Sequence, residues 1–141
     1  MLASLVALAL LSTPLPHLES TPETTAAAFV DAFKKMDEAR FDRFFDPDVT
    51  MFFPDGPFPH GTVEGRDAVL STFHAFFKLA KGKGRSLLNI TPIGQRVQRY
   101  GDIAIVTFRL DQEGAVGRRS LILRKSENEW RIVHFHASTI D

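Results

Sequence analysis

His134 and His136 stand two residues apart near the C-terminus, a spacing that sends both imidazoles to one face of an extended strand. An imidazole ordinarily titrates near pH 6.5 (about), so either ring could take or give a proton near neutrality. They are candidate catalytic acid/base residues, and the same pattern serves a polar layer in a sheet or at a subunit contact. Asp55 and His60 share a stretch rich in proline and glycine, where an Asp-His pair could polarise water or a ligand; plain turn chemistry would use the same residues. Arg109 and Arg119 offer the forked donors that suit a carboxylate, or strand-edge ion pairs. Phe33, Phe53, Phe73 and Trp130 are apolar candidates for lining a ligand pocket, against the default reading of core. Zinc needs three or four spaced ligands, and with no cysteine and no such cluster neither metal nor cofactor is expected.

The elements that must position these groups follow from periodicity and punctuation. Thr21, Pro22 and Glu23 make a helix start, and Phe29, Val30, Phe33 and Met36 repeat at helical spacing behind it. Phe41, Phe44 and Phe45 suggest a short second helix that Pro47 must end. A strand over 49–53, a wide turn and a return strand over 62–64 come next, then a helix over 67–81 with Val69, Leu70, Phe73, Phe76 and Phe77 on its apolar stripe. His74, beside Phe73, reads as a boundary residue. Strand-like runs occupy 87–90, 96–100, 103–110, 119–125 and 130–137, with Pro92 marking a bend or bulge. Short turns at Gly101-Asp102, Glu113-Gly114 and Glu127-Asn128 predict an antiparallel meander. The fold class expected is α+β, with helices on one sheet face. Strict alternation puts Ala104, Val106, Phe108 and Leu110 on one face, and groups Trp130 and Ile132 with His134 and His136, opposite Val133, Phe135 and Ala137.

Lysine plus arginine and aspartate plus glutamate both number 17, a formal net charge of zero, which argues against nucleic acid and anionic membranes as partners. Thirteen phenylalanines against one tyrosine and one tryptophan predict a dry core or a dry pocket, because phenyl rings carry no polar tip. The 141 residues suit one domain over 21–141. Residues 1–20 read as a signal peptide or a disordered leader, too short in its apolar run to span a bilayer. An exported protein, periplasmic or extracellular, is expected if that leader is a true signal, and a cytoplasmic one otherwise.

This order of elements, closing on Trp130-Arg131-Ile132-Val133-His134-Phe135-His136-Ala137-Ser138, resembles the nuclear transport factor 2 superfamily. It is especially similar to the calcium/calmodulin-dependent protein kinase II association domain and to SnoaL-like proteins. The resemblance implies a cone-shaped curved antiparallel sheet wrapped around three helices (a cystatin-like roll), a pocket at its open end, and dimerisation through the outer sheet face. Ala137 stands where the kinase domain has arginine, so that domain's charged pocket does not carry over. The stretch Asp48 to Pro54 resembles ketosteroid isomerases, yet Phe53 occupies the place of their general-base aspartate and Phe29 to Phe33 holds no tyrosine, so their machinery is missing. The expectation is a homodimer holding a small, largely apolar organic molecule. The alternatives are an isomerase, dehydratase or hydrolase using His134 or His136, and an oligomerisation module without a ligand.

Overall fold

Thr21 opens helix α1 (Pro22–Lys35) by accepting a hydrogen bond from the Thr24 amide at 3.1 Å, while its own amide donates to the Thr24 hydroxyl at 2.9 Å. The computed structural model describes residues 20–140, and the leader expected over 1–20 lies outside them apart from Ser20. No described helix is long and apolar enough to cross a membrane. Asp37 caps the one-turn helix α2 (Glu38–Phe41), a 3-10 turn covers Asp42–Phe44, and β1 (Phe45–Phe52) starts at once. The expected helix through Phe45 is therefore shorter, and Pro47 sits inside the strand. Proline is tolerated there because the pairing of β1 is irregular between Phe45 and Thr50, which spares it a ladder bond it cannot donate.

The two-residue strand β2 (Val63–Glu64) returns against β1, and α3 (Arg66–Gly82) carries the chain to the far side of the sheet. Strands β3 (Ile90–Tyr100), β4 (Ile103–Gln112), β5 (Ala115–Ser126) and β6 (Glu129–Thr139) then meander back. The order is β2-β1-β6-β5-β4-β3, a curved sheet that does not close. Because the meander starts at the far edge, β6 arrives beside β1 running parallel to it, so the sheet is mixed and not wholly antiparallel as the turns alone suggested. Of the run expected over 87–90 only Ile90 is in a strand: Leu87 to Asn89 lead into the edge strand β3, which then runs unbroken through the expected 96–100. Pro92 pairs regularly with Leu110, and the register slips beyond it, between Ile93 and Arg96. The expected turns join the strands. At Glu113-Gly114 and Glu127-Asn128 both turn residues have positive φ, the backbone sense that matches strand twist.

One further slip changes the reading of the faces. Ile122 of β5 pairs with His134 and Leu123 with Ile132, leaving Val133 as an extra residue. A bulge of this kind reverses the alternation beyond it. Trp130 and Ile132 therefore share the buried inner face with Phe135 and Ala137, while His134 is half-buried and His136 exposed on the other side. The inner face packs on α1 and α3 through phenylalanine. Phe41, fully buried, has ring centroids 5.3 Å from Phe29, 5.1 Å from Phe45, 4.8 Å from Phe73 and 5.2 Å from Phe77.

Phe41→Ala removes the ring that the others share and is expected to cost about 3–5 kcal/mol in urea unfolding. Phe52→Ala, at a residue 40 % exposed, should cost under about 1 kcal/mol. Comparable losses in the two variants would refute this description of the core.

Candidate functional site

The phenylalanine cluster fills only part of the space between helices and sheet. Beside it lies a cavity of about 250 Å³, walled by Phe29, Val30 and Phe33 of α1 and by Phe73 and Phe76 of α3. Phe53, Pro54, Asp55 and Phe58 of the segment after β1 form another wall. The sheet supplies its floor as two cross-strand rows: Phe108, Arg119 and Ala137, then Leu110, Gly117 and Thr139. Gln112 of β4 continues the inner phase outward. The interior is thus aromatic and aliphatic, with Asp55, Gln112, Arg119 and Thr139 as its polar lining residues.

Of the residues singled out from sequence, Phe33, Phe53, Phe73 and Asp55 line this cavity. His60 is exposed on the β1–β2 connection, does not line it, and has no hydrogen bond to Asp55. Arg109 is exposed on the outer face opposite Arg118, as its alternation with buried Phe108 and Leu110 requires. Trp130 is buried, but near the start of β6 and away from the cavity. His74 binds Asp42 at 2.7 Å on the surface of α3.

His134 and His136 also lie outside the cavity. The Val133 bulge turns them to the outer face, where His134 Nδ1 meets the Thr50 hydroxyl at 2.8 Å. Phe52 rests against both rings, with centroids 5.7 and 5.6 Å away. A molecule in the cavity has the sheet between it and either imidazole. Burial lowers the pKa of His134 below its ordinary 6.5, and the neighbouring His136 acts in the same direction. Sequence reasoning missed Gln112, Thr139 and Gly117 as lining residues. Gln112 could have been found by extending the phase of Phe108 and Leu110, and Thr139 by that of Phe135 and Ala137.

The model of the SnoaL-like domain family matches residues 23–141. The chain belongs to the SnoaL-like family. No curated protein is detectably similar in sequence, but solved structures share the SnoaL-like fold. A protein from Parabacteroides distasonis, provisionally described as a ketosteroid isomerase, is 23% identical with a TM-score of 0.67, over 87% of this chain and 90% of that one. A provisionally described dehydratase of the NTF2-like family from Streptomyces avermitilis is 18% identical with a TM-score of 0.69, covering 86% and 99%. A provisionally described calcium/calmodulin-dependent protein kinase type II association domain from Thiobacillus denitrificans is 25% identical with a TM-score of 0.65, covering 86% and 96%. At these identities the likeness shows the fold, and a SnoaL-like fold hosts unrelated chemistries. Among the described residues no group of three or more His, Cys, Asp or Glu side chains could hold a metal ion.

The lowered pKa of His134 has a definite sign. A histidine that binds its proton less readily when folded contributes stability above its unfolded pKa, and that stability is lost as pH falls towards the folded value. Unfolding measured between pH 7.5 and 5 (about) should therefore show wild type losing more stability on acidification than His134→Gln. Parallel curves would refute the assignment.

Proposed function

We propose that this SnoaL-like domain is a binding domain for a small, largely apolar organic molecule, held between α1, α3 and the inner sheet face. The cavity carries this reading. The pocket, about 250 Å³ and partly open to solvent, is far larger than the water-sized voids of a packed core. Walls of phenylalanine disfavour water there, so an apolar molecule gains by replacing it. The volume lies near the low end for organic ligands and suits one ring or a short branched chain. No partner of nucleic acid is proposed.

An isomerase- or dehydratase-type enzyme is the second reading, favoured by Asp55, a carboxylate that lines the cavity and could serve as a general base. His134 and His136 have no part in it. The domain is further proposed to pair with a second copy through its outer face, where Ile105 and Ile122 are half-buried and Phe52 is exposed. The leader, outside the described residues, is proposed to direct export.

Ala137 lies on the cavity floor, so Ala137→Leu should fill it. A neutral one-ring compound such as toluene, at about ten times its Kd, stabilises by ~1.4 kcal/mol and should raise the wild-type Tm by several degrees. The variant should unfold cooperatively and show no rise. Equal shifts in both proteins would place binding elsewhere.

Ile122→Arg should convert a dimer to a folded monomer in sedimentation equilibrium. A wild type that sediments as a monomer at tens of micromolar would end the pairing proposal.

A further inference from the structure

Arg119 is the one cation among the residues lining the cavity. It stands in the middle of the floor row, between Phe108 and Ala137. Its charge is half-buried, and no carboxylate lies within ion-pair distance among the described residues. The exposed arginines Arg85, Arg99 and Arg124 each have an acid partner, whereas half-buried Arg119 has none.

The seat of the guanidinium is specific. Arg119 folds back along its own strand over Gly117, where an ideal Cβ would stand only 2.5 Å from Nη1 and 2.8 Å from the Ser138 carbonyl oxygen. Any other side chain there would occupy the place the guanidinium now takes. Nη1 donates to the carbonyl oxygens of Arg118 at 2.9 Å and of Ser138 at 3.3 Å. Those two bonds use both Nη1 protons of a group with five N–H donors. Nε and Nη2 are left, and they form the edge whose parallel N–H groups grip a carboxylate in two places. They meet no acceptor among the described residues.

We propose that Arg119, seated over Gly117, is the carboxylate anchor of this cavity, and that the ligand is a small organic monocarboxylate with an apolar body. The inference rests on the ligand-binding reading above and names its ligand class. Burial lowers the pKa of Arg119, the mark of a charge whose lost hydration is incompletely replaced; a bound anion would replace it. A single anionic group is implied, because Arg119 is the sole lining cation and the other charged lining residue, Asp55, is an acid. The phenyl-lined walls then take the apolar remainder.

The test compares 3-phenylpropionate, ionised at neutral pH, with its neutral isostere 3-phenylpropionamide, by calorimetric titration of the whole protein. Wild type should bind the acid about ten- to a hundred-fold more tightly than the amide, as a doubly bonded charged contact requires. Arg119→Gln should abolish the preference, bringing the acid down to the level of the amide. Gly117→Ala, which takes away the seat but keeps the arginine, should reduce the acid-to-amide ratio, and unchanged amide affinity would show that its cavity is intact. Equal binding of acid and amide by wild type overturns the anchor and leaves the apolar cavity standing. Failure of wild type to bind either compound at millimolar concentration overturns both. An acid preference that persists in Arg119→Gln overturns the assignment to this residue.

Discussion

The space between α1, α3 and the sheet is governed by how far phenyl rings can fill it. Phe41 and its neighbours close one end, edge to face and offset, the arrangements their quadrupoles favour. The rings come from four separate segments: Phe29 and Phe33 from α1, Phe41 from α2, Phe45 from β1, and Phe73 and Phe77 from α3. Their packing fixes the distance and tilt of both long helices over the sheet. Where the rings run out, the floor carries Gly117 and Ala137, small residues that the facing helices do not fill. The cavity follows from that change in residue size along one face, within a core that is otherwise continuous.

Most of the architecture was legible because local signals agreed with one another. Thr21-Pro22, the apolar stripes of α1 and α3, and the three turn dipeptides were each sufficient for the element they mark. What could not be read locally was pairing. Pro47 looked like a helix stop because nothing near it in sequence reveals that β6, some eighty residues on, runs beside β1 with an irregular register. The parallel β1–β6 pair likewise depends on α3 crossing the sheet, a fact of topology and not of turn chemistry.

The site was legible in part, and the failure has one physical source. Trp130, Ile132, Phe135 and Ala137 step by two, three and two, and that odd step in the middle is the trace of the Val133 bulge. Strict period two overlooked it and assigned the histidines to the face of Trp130. With the bulge in place, burial of four apolar side chains decides the outcome. Hiding all four is worth several kcal/mol (about), which easily outweighs the bond between His134 and Thr50. The imidazoles are turned outward as a consequence. The arginines obey the same rule without a bulge: Arg109 alternates with Phe108 and Leu110 and faces out, whereas Arg119 is in phase with Leu121 and Leu123 and faces in.

That division separates what holds the fold from what would choose a ligand. Gln112 and Thr139 lie at the last positions of their strands, and Asp55 lies in a turn; none of the three carries a cross-strand pair whose loss would disturb the Phe41 cluster. Arg119 is otherwise placed. It sits two rows in from the start of its strand, between Phe108 and Ala137, and its guanidinium depends on the missing side chain at Gly117. A desolvated charge at such a position opposes folding unless something repays it, and two backbone carbonyls repay it only in part. The stability cost is therefore borne by the same residue pair that shapes the cavity floor.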